Sequence, residues 1–216
     1  MEILYREFNE SKINNNYKRV AFFYDIWSWL TESKAAKKVI ELAGVKNGES
    51  VLEVACGTGV LFEKIVKQNP DGINVGVDLT PAMLEKAKQR LQKLKNHNFE
   101  LKRGNALNLE FDDNSFDLVT NNFMIDLMPE NTFDTIAKEF YRVLKPGGRL
   151  VISVFSFGTK KVNKIWHWVA KNFPELLTGC RPVSFTQNLI NAGFKIDKDI
   201  HVSQNTFPAE VIRAIK

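Results

Sequence analysis

The sequence predicts an α/β protein built on a doubly wound, mostly parallel sheet with helices on both faces. Three observations predict it. Short apolar runs alternate with amphipathic helical stretches along most of the 216 residues, as strand–helix–strand units require. The first clear run, Val51-Leu52-Glu53-Val54, passes through Ala55-Cys56 into Gly57-Thr58-Gly59 and then a helix. A second run, Asn74-Val75-Gly76-Val77, ends in an acid, Asp78. An acid about 20 residues after a glycine turn is where a nucleoside-binding sheet places one for ribose hydroxyls.

Composition bounds the rest. With 44% hydrophobic and 25% charged residues the chain has the make-up of a soluble globule. At this length it can bury about 70% of its unfolded surface without staples, and one domain over residues 1–216 is expected. Cys56 and Cys180 make neither a disulfide framework nor a metal cluster. With no signal peptide and no apolar run long enough to span a bilayer, a cytoplasmic location is expected. The net charge is +5 and the pI about 9.1. The lysines are spread along helices rather than clustered. That argues against nucleic acid as a partner and leaves peripheral contact with an anionic membrane surface.

The elements follow in order. Ser11 to Asn16 reads as a loop. Tyr17 to Leu30 holds Phe22, Phe23, Tyr24, Ile26, Trp27 and Trp29 and is apolar around most of its circumference. It either packs on the sheet or lids the ligand site. A helix spans about Ser33 to Ala43, with Ser33 as N-cap and Gly44 as stop. Val51 to Val54 is the first strand, buried on both faces. Val60, Leu61, Phe62, Ile65 and Val66 recur at helical spacing after the glycines, so unpaired helix N–H groups face whatever sits over the turn. Thr80 caps the next helix and Pro81 is its first residue. Its stripe of Met83, Leu84, Ala87, Leu91 and Leu94 is core, with Met83 near enough to the start to touch a bound base. Phe99-Glu100-Leu101 is the third strand. Phe111 to Val119 is a turn feeding the fourth, which ends at Thr120-Asn121-Asn122. The loop Phe123 to Pro129 then lies beyond a strand's carboxyl end and faces the site. A helix from about Asn131 to Leu144 stops sharply at Lys145-Pro146-Gly147-Gly148, before a fifth strand at Arg149 to Val154. Ile165 to Val169 is an aromatic helix, Gly179 to Pro182 a loop, and Phe185, Leu189 and Ile190 mark a helix stopped at Gly193. Phe194 to Ile196 and Val211 to Ile215 are the last two strands.

The ligand class narrows on one position. A dinucleotide fingerprint wants a third small residue after the glycine pair; here it is Phe62. No G-x-x-x-x-G-K-[ST] loop exists for a nucleoside triphosphate. A nucleoside without phosphates, such as S-adenosylmethionine, fits better. Glu53-Val54-Ala55-Cys56-Gly57-Thr58-Gly59 resembles the first motif of the class I S-adenosylmethionine-dependent methyltransferases. Tyr24-Asp25, Asn105-Ala106 and Arg142-Val143-Leu144-Lys145-Pro146-Gly147-Gly148 resemble the ubiquinone and menaquinone C-methyltransferases and their type 11 relatives. The resemblance covers about Tyr17 to Lys216 and is strongest from Ser50 to Val154. It implies a Rossmann-like, seven-stranded, mostly parallel sheet with an antiparallel edge hairpin and N-terminal helices. It divides the chain into a helical lid segment (1–44), a cofactor-binding core (50–154), and acceptor-side helices and edge strands (155–216).

The resemblance implies S-adenosylmethionine as cofactor, held by Glu53, Ala55, Gly57, Thr58, Gly59, Asp78, Leu79, Met83, Asn105, Ala106 and Asn122. Asn105 has a second reading, as a turn residue holding its own backbone. The implied reaction moves the sulfonium methyl group to a small apolar or lipid-like acceptor, a quinone precursor or a phospholipid head group. The protein then mainly aligns the two reactants. Methylating a phenol-type acceptor also needs a base, for which Tyr24, Asp126 and His167 are candidates; His167, between two tryptophans, also reads as a packed helix residue. No metal constellation stands out. Two other readings remain: a cofactor-binding subunit or sensor without catalysis, and a nicotinamide-dependent oxidoreductase, which Phe62 and Asn105-Ala106 oppose.

Overall fold

The computed structural model describes residues 30–94, 98–173, 177 and 179–216. Tyr24 and the predicted lid segment up to Trp29 lie outside them; its remainder, from Leu30 to Gly44, is described. β1 (Ser50–Val54) is flanked by β2 (Ile73–Asp78) and β4 (Phe116–Asn122), both parallel to it. β3 (Glu100–Arg103) pairs with β2, and β5 (Leu144–Phe155) with β4. β7 (Phe207–Ile215) is antiparallel to β5 and to β6 (Lys195–Gln204), which forms the edge. The seven strands run in the order β3-β2-β1-β4-β5-β7-β6. This is the mostly parallel sheet with an antiparallel hairpin that the resemblance implied.

Alternation along each strand feeds two cores. Val51, Leu118, Val151 and Val211 face Val39 and Ala43 of α1 (Ser33–Ala43) and Leu61 and Ile65 of α2 (Val60–Gln68). Leu52, Val119, Ile152 and Ile212 face Ile136 and Phe140 of α4 (Phe133–Val143) and Leu189 of α6 (Thr186–Ala192). α3 (Pro81–Leu91) packs on α2 through Ala87, Leu91, Phe62 and Val66. α5 (Lys164–Asn172) closes the α1 side near the hairpin. No helix among the described residues is long and apolar enough to cross a membrane.

Several boundaries differ from the sequence reading. Ser33 is the first helical residue of α1, not its cap. Glu32 holds the cap position but its side chain does not cap the helix, and the Ser33 hydroxyl donates to Gln204 Oε1 at 3.1 Å. Gly44 does end the helix in the left-handed conformation, at φ 49°. Thr80 holds the cap position of α3, yet makes no side-chain bond to that helix. Glu130–Thr132 forms a 3-10 turn, so α4 begins at Phe133 rather than Asn131.

The expected turn at Lys145 to Gly148 is an irregularity inside β5. Leu144 already pairs with Phe116, the register resumes at Arg149 opposite Leu118, and Gly147 takes φ 76°. The ladder survives because Lys216 bonds both Gly147 and Gly148 through the backbone. The last two strands are also longer than read. They meet at a two-residue turn, Asn205-Thr206, with φ 48° and 69°, the conformation that suits a tight hairpin.

Candidate functional site

A cleft opens at the carboxyl ends of β1, β2, β3 and β4, where the strand order reverses between β1 and β4. Open α/β sheets bind ligands at this place. Its wall includes Ala55, Gly57, Asp78, Leu79, Met83, Asn105, Ala106 and Asn122, eight of the residues picked from the sequence. Glu53, Thr58 and Gly59 do not line it.

The acid and the glycine turn are joined directly. Asp78 Oδ2 accepts the Gly57 N–H at 2.8 Å, and Oδ1 accepts the Thr80 N–H at 2.8 Å. Burial raises the Asp78 pKa; the Thr80 and Gly57 bonds pull the other way without cancelling it. The Thr80 hydroxyl is a third donor to this carboxylate, so one of its roughly four lone-pair sites stays open for a ligand hydroxyl.

The two glycines differ in role. A Cβ placed on Gly57 would meet nothing within 4 Å, so a ligand can approach the bare backbone there. A Cβ on Gly59 would lie 3.1 Å from the Ala87 Cβ. Gly59 therefore lets α2 and α3 pack closely, and it is not the residue over which a ligand slides. Phe62 has its own accommodation: a Cβ on Gly76 would meet its ring at 3.0 Å. A glycine in β2 thus makes room for the bulky residue after the turn. Thr58 is buried, and its carbonyl accepts the Arg90 Nε–H at 2.9 Å.

Glu53 is sealed in the sheet at 1% exposure, and its Oε2 has no hydrogen-bond partner. Burial, then the nearby Asp78, push its pKa well up, which favours the neutral form over the charged one. On the opposite wall Asn105 Oδ1 accepts the Leu107 N–H at 2.9 Å, the self-bonded turn of the second reading. An amide oxygen has two lone pairs, so one donor more can be accepted. Asn122 Oδ1 accepts the Ser153 hydroxyl.

The remaining wall is apolar: Phe123, Met124, Leu127 and Met128, from the loop after β4. The sequence reading aimed this loop at the site but selected its polar member, Asp126. That side chain is fully buried, is missing from the cleft wall, and its pKa is pushed up to about 6 by burial against the opposing pull of Cys180. Residue type alone did not single the others out: Ile125 in the same loop is as apolar and is buried away from the cleft. Ala55 and Phe123, at the ends of β1 and β4, both take positive φ, 58° and 52°. Such backbone strain in non-glycine residues gathers at functional sites.

Arg181 supports the loop from behind. It is 4% exposed and donates from Nη1 to the Asp126 carbonyl at 3.1 Å and from Nη2 to the Met128 carbonyl at 2.8 Å. His167 is in α5, its ring 5.9 Å from Phe157 and its Nδ1 buried without a partner; it does not line the cleft. Away from the cleft, the hairpin brings ligand atoms of Asp199, His201 and Glu210 within 4.8 Å of one another. Strand pairing creates that group, which sequence spacing hides.

Fold and cleft together define a class of protein: an α/β nucleoside-binding fold of methyltransferase type. Within it, the chain belongs to the ubiE/COQ5 methyltransferase family, whose model matches residues 6–176. The demethylmenaquinone methyltransferase of Listeria monocytogenes serovar 1/2a is 35% identical over 152 residues, 67% of this chain; the match spans 62% of that protein's length. That of Lactobacillus johnsonii is 35% identical over 173 residues, 76% of this chain and 70% of its own. Among solved structures, a SAM-dependent methyltransferase from Aquifex aeolicus matches with a TM-score of 0.65 at 20% identity, covering 97% of this chain and 99% of its own. Geranyl diphosphate C-methyltransferase from Streptomyces coelicolor matches with a TM-score of 0.69 at 16% identity, covering 85% and 80%. These two structures establish the shared fold.

Proposed function

We propose that this protein is an S-adenosylmethionine-dependent methyltransferase acting on an apolar, quinone-like acceptor. One observation carries the reading: a single cleft joins an acid-and-glycine half, Asp78 and Gly57, to an apolar half, Phe123, Met124, Leu127 and Met128. The relatives at 35% identity are demethylmenaquinone methyltransferases, which favours a quinone precursor over a phospholipid head group.

The residues fit the cofactor. Asp78 presents a buried carboxylate to ribose hydroxyls, and Gly57 leaves the backbone open beside it. Met83, Asn105 and Ala106 form the wall on which an adenine would lie. The bound cofactor would supply an activated methyl group on a sulfonium leaving group. The chain's own task is then alignment and exclusion of water, for which the thioether and aromatic wall is suited. Carbon methylation of a phenol-type ring also requires proton removal. Asp126 is enclosed beneath the loop, and His167 lies on α5 away from the cleft wall. Tyr24 is therefore the base in this reading.

The test incubates the protein with labelled S-adenosylmethionine and a demethylated naphthoquinol. Label should appear in the organic phase, and Tyr24→Phe should lower turnover at least a hundredfold, the scale of general-base catalysis, while cofactor binding is kept. A larger thermal shift with NADH than with S-adenosylmethionine would overturn the cofactor reading. Labelling of protein or tRNA instead of the quinol would overturn the acceptor.

A further inference from the structure

α5 carries apolar side chains on its outer face as well as its inner one. The inner face is accounted for. Trp166 packs edge-on against Phe207 at 5.2 Å and donates from its indole nitrogen to the Thr206 hydroxyl at 3.0 Å; Ala170 is buried. The outer face is not. Trp168 is 56% exposed, Ile165 55% and Phe173 53%, and Val162 just before the helix is half exposed. Trp168 and Phe173 meet edge-on at 5.6 Å, so they present one aromatic surface. Single exposed apolar residues need no explanation, but a run of four on one short element does.

The charge around them is mostly positive. From Ser156 to Leu177 the sequence has lysines at 160, 161, 164 and 171 against one acid, Glu175. Lys171 stands three after Trp168 in α5, which puts it on the same side of the helix. A tryptophan centred on the outer face, apolar neighbours and an excess of lysine over acid are the make-up of a helix that lies in the plane of a membrane interface. An acidic protein surface would match the lysines but would leave the aromatic pair in contact with water at its rim.

We propose that α5, with Val162 and Phe173, is the element by which this protein docks on an anionic phospholipid surface. Its place gives docking a use. Phe123 of the cleft wall lies 6.2 Å from Phe207, ring to ring, and Phe207 touches Trp166. The helix is thus separated from the cleft by two aromatic side chains. A bilayer held at α5 brings an apolar acceptor close to where it is used. That consequence rests on the quinone reading above; the docking itself does not.

The test is sedimentation of the full chain with vesicles of phosphatidylcholine alone or with phosphatidylglycerol added. Binding should require the anionic lipid and weaken with salt, since each lysine at the surface contributes about fivefold. The variant Ile165→Ser/Trp168→Ser should lower vesicle binding at least tenfold with its melting temperature unchanged, because both side chains are exposed. It should still methylate a short-chain, water-soluble quinol in the absence of vesicles, whereas failure there in the unaltered protein would strike at the quinone reading alone. Three outcomes would overturn the docking proposal. The unaltered protein could ignore anionic vesicles. The variant could bind them as well as the unaltered protein does. Or the substitutions could abolish a concentration-dependent dimer, or lower the melting temperature, with no vesicle binding at all; that would make the face a contact with a second copy or with the chain's own first 29 residues.

Discussion

Asp78 Oδ2 accepts the Gly57 N–H at 2.8 Å, so the end of β2 and the turn after β1 are one unit. The residue chosen to hold a ligand also holds the loop over which the ligand lies. Asp78→Ala should therefore do two things. It removes the acceptor for the Gly57 and Thr80 N–H groups, at about 1–3 kcal/mol for each group left unpaired. It also removes the charged partner of the ribose, so affinity for S-adenosylhomocysteine should fall at least tenfold. Calorimetric titration beside chemical unfolding separates the two. Unchanged affinity would mean the ribose is held elsewhere.

Gly57 and Gly59 should separate under mutation. Gly59→Val meets Ala87 and also forces a β-branched residue to φ 78°. It should destabilise by several kcal/mol, roughly the sum of overpacking and left-handed strain. Gly57→Ala has open space and a φ of 54°, so it should cost only about 1–2 kcal/mol while weakening cofactor binding. If Gly57→Ala binds normally, the ligand does not approach that backbone.

Arg181→Ala should act on the acceptor side. The Asp126 and Met128 carbonyls lose their donor in a buried setting. About 1–3 kcal/mol per group is expected, which for a chain of this size lowers the melting temperature by several degrees. The KM for the acceptor should rise more than that for the cofactor. Equal changes in both would remove any special role for the Asp126–Met128 segment.

Stability should fall as pH rises from about 4.5 to 8. Burial first, then the hydrogen bond and charge of Asp199, push Glu210 up to about 8. Burial raises Asp126 to about 6. In that window the folded state binds protons that the unfolded state releases, so each unit of pH favours unfolding. Urea midpoints at pH 5 and 8.5 measure it. Glu210→Gln, whose amide can donate to Asp199 at any pH, should flatten the slope in part, leaving the shares of Glu53, Asp78 and Asp126. An undiminished slope in that variant would assign it to other groups.

How much of this was legible in the sequence depended on how local each cause is. β1, its glycine turn and α2 were readable because strand, turn and helix signals follow within some fifteen residues and agree. Lys145 to Gly148 misled because what keeps those residues in the ladder is Lys216, about seventy positions away. The hairpin was underread because β6 is an edge strand with charged residues on its exposed face, and because Asn205-Thr206 is a less usual pair for a tight turn than Asn-Gly. At the site, polar residues were easier to nominate than apolar ones. Asp126 was selected over Leu127 and Met128, although burial, which decides which side of a loop faces inward, is not written in residue type.

The order of β5, β7 and β6 across the sheet bears on how the chain is made. β6 leaves the ribosome before β7, yet β7 is the strand that sits between β6 and β5. Until residues 207–215 emerge, the nascent chain carries β5 with one edge open, Val151 to Phe155 among the residues on it, and β6 with no neighbour in the sheet. At ordinary synthesis rates this state lasts on the order of seconds. An open apolar edge is what strand-pairing aggregation uses. Closing the sheet requires β7 to enter between β5 and β6, and the hairpin so placed brings Gln204 to the start of α1.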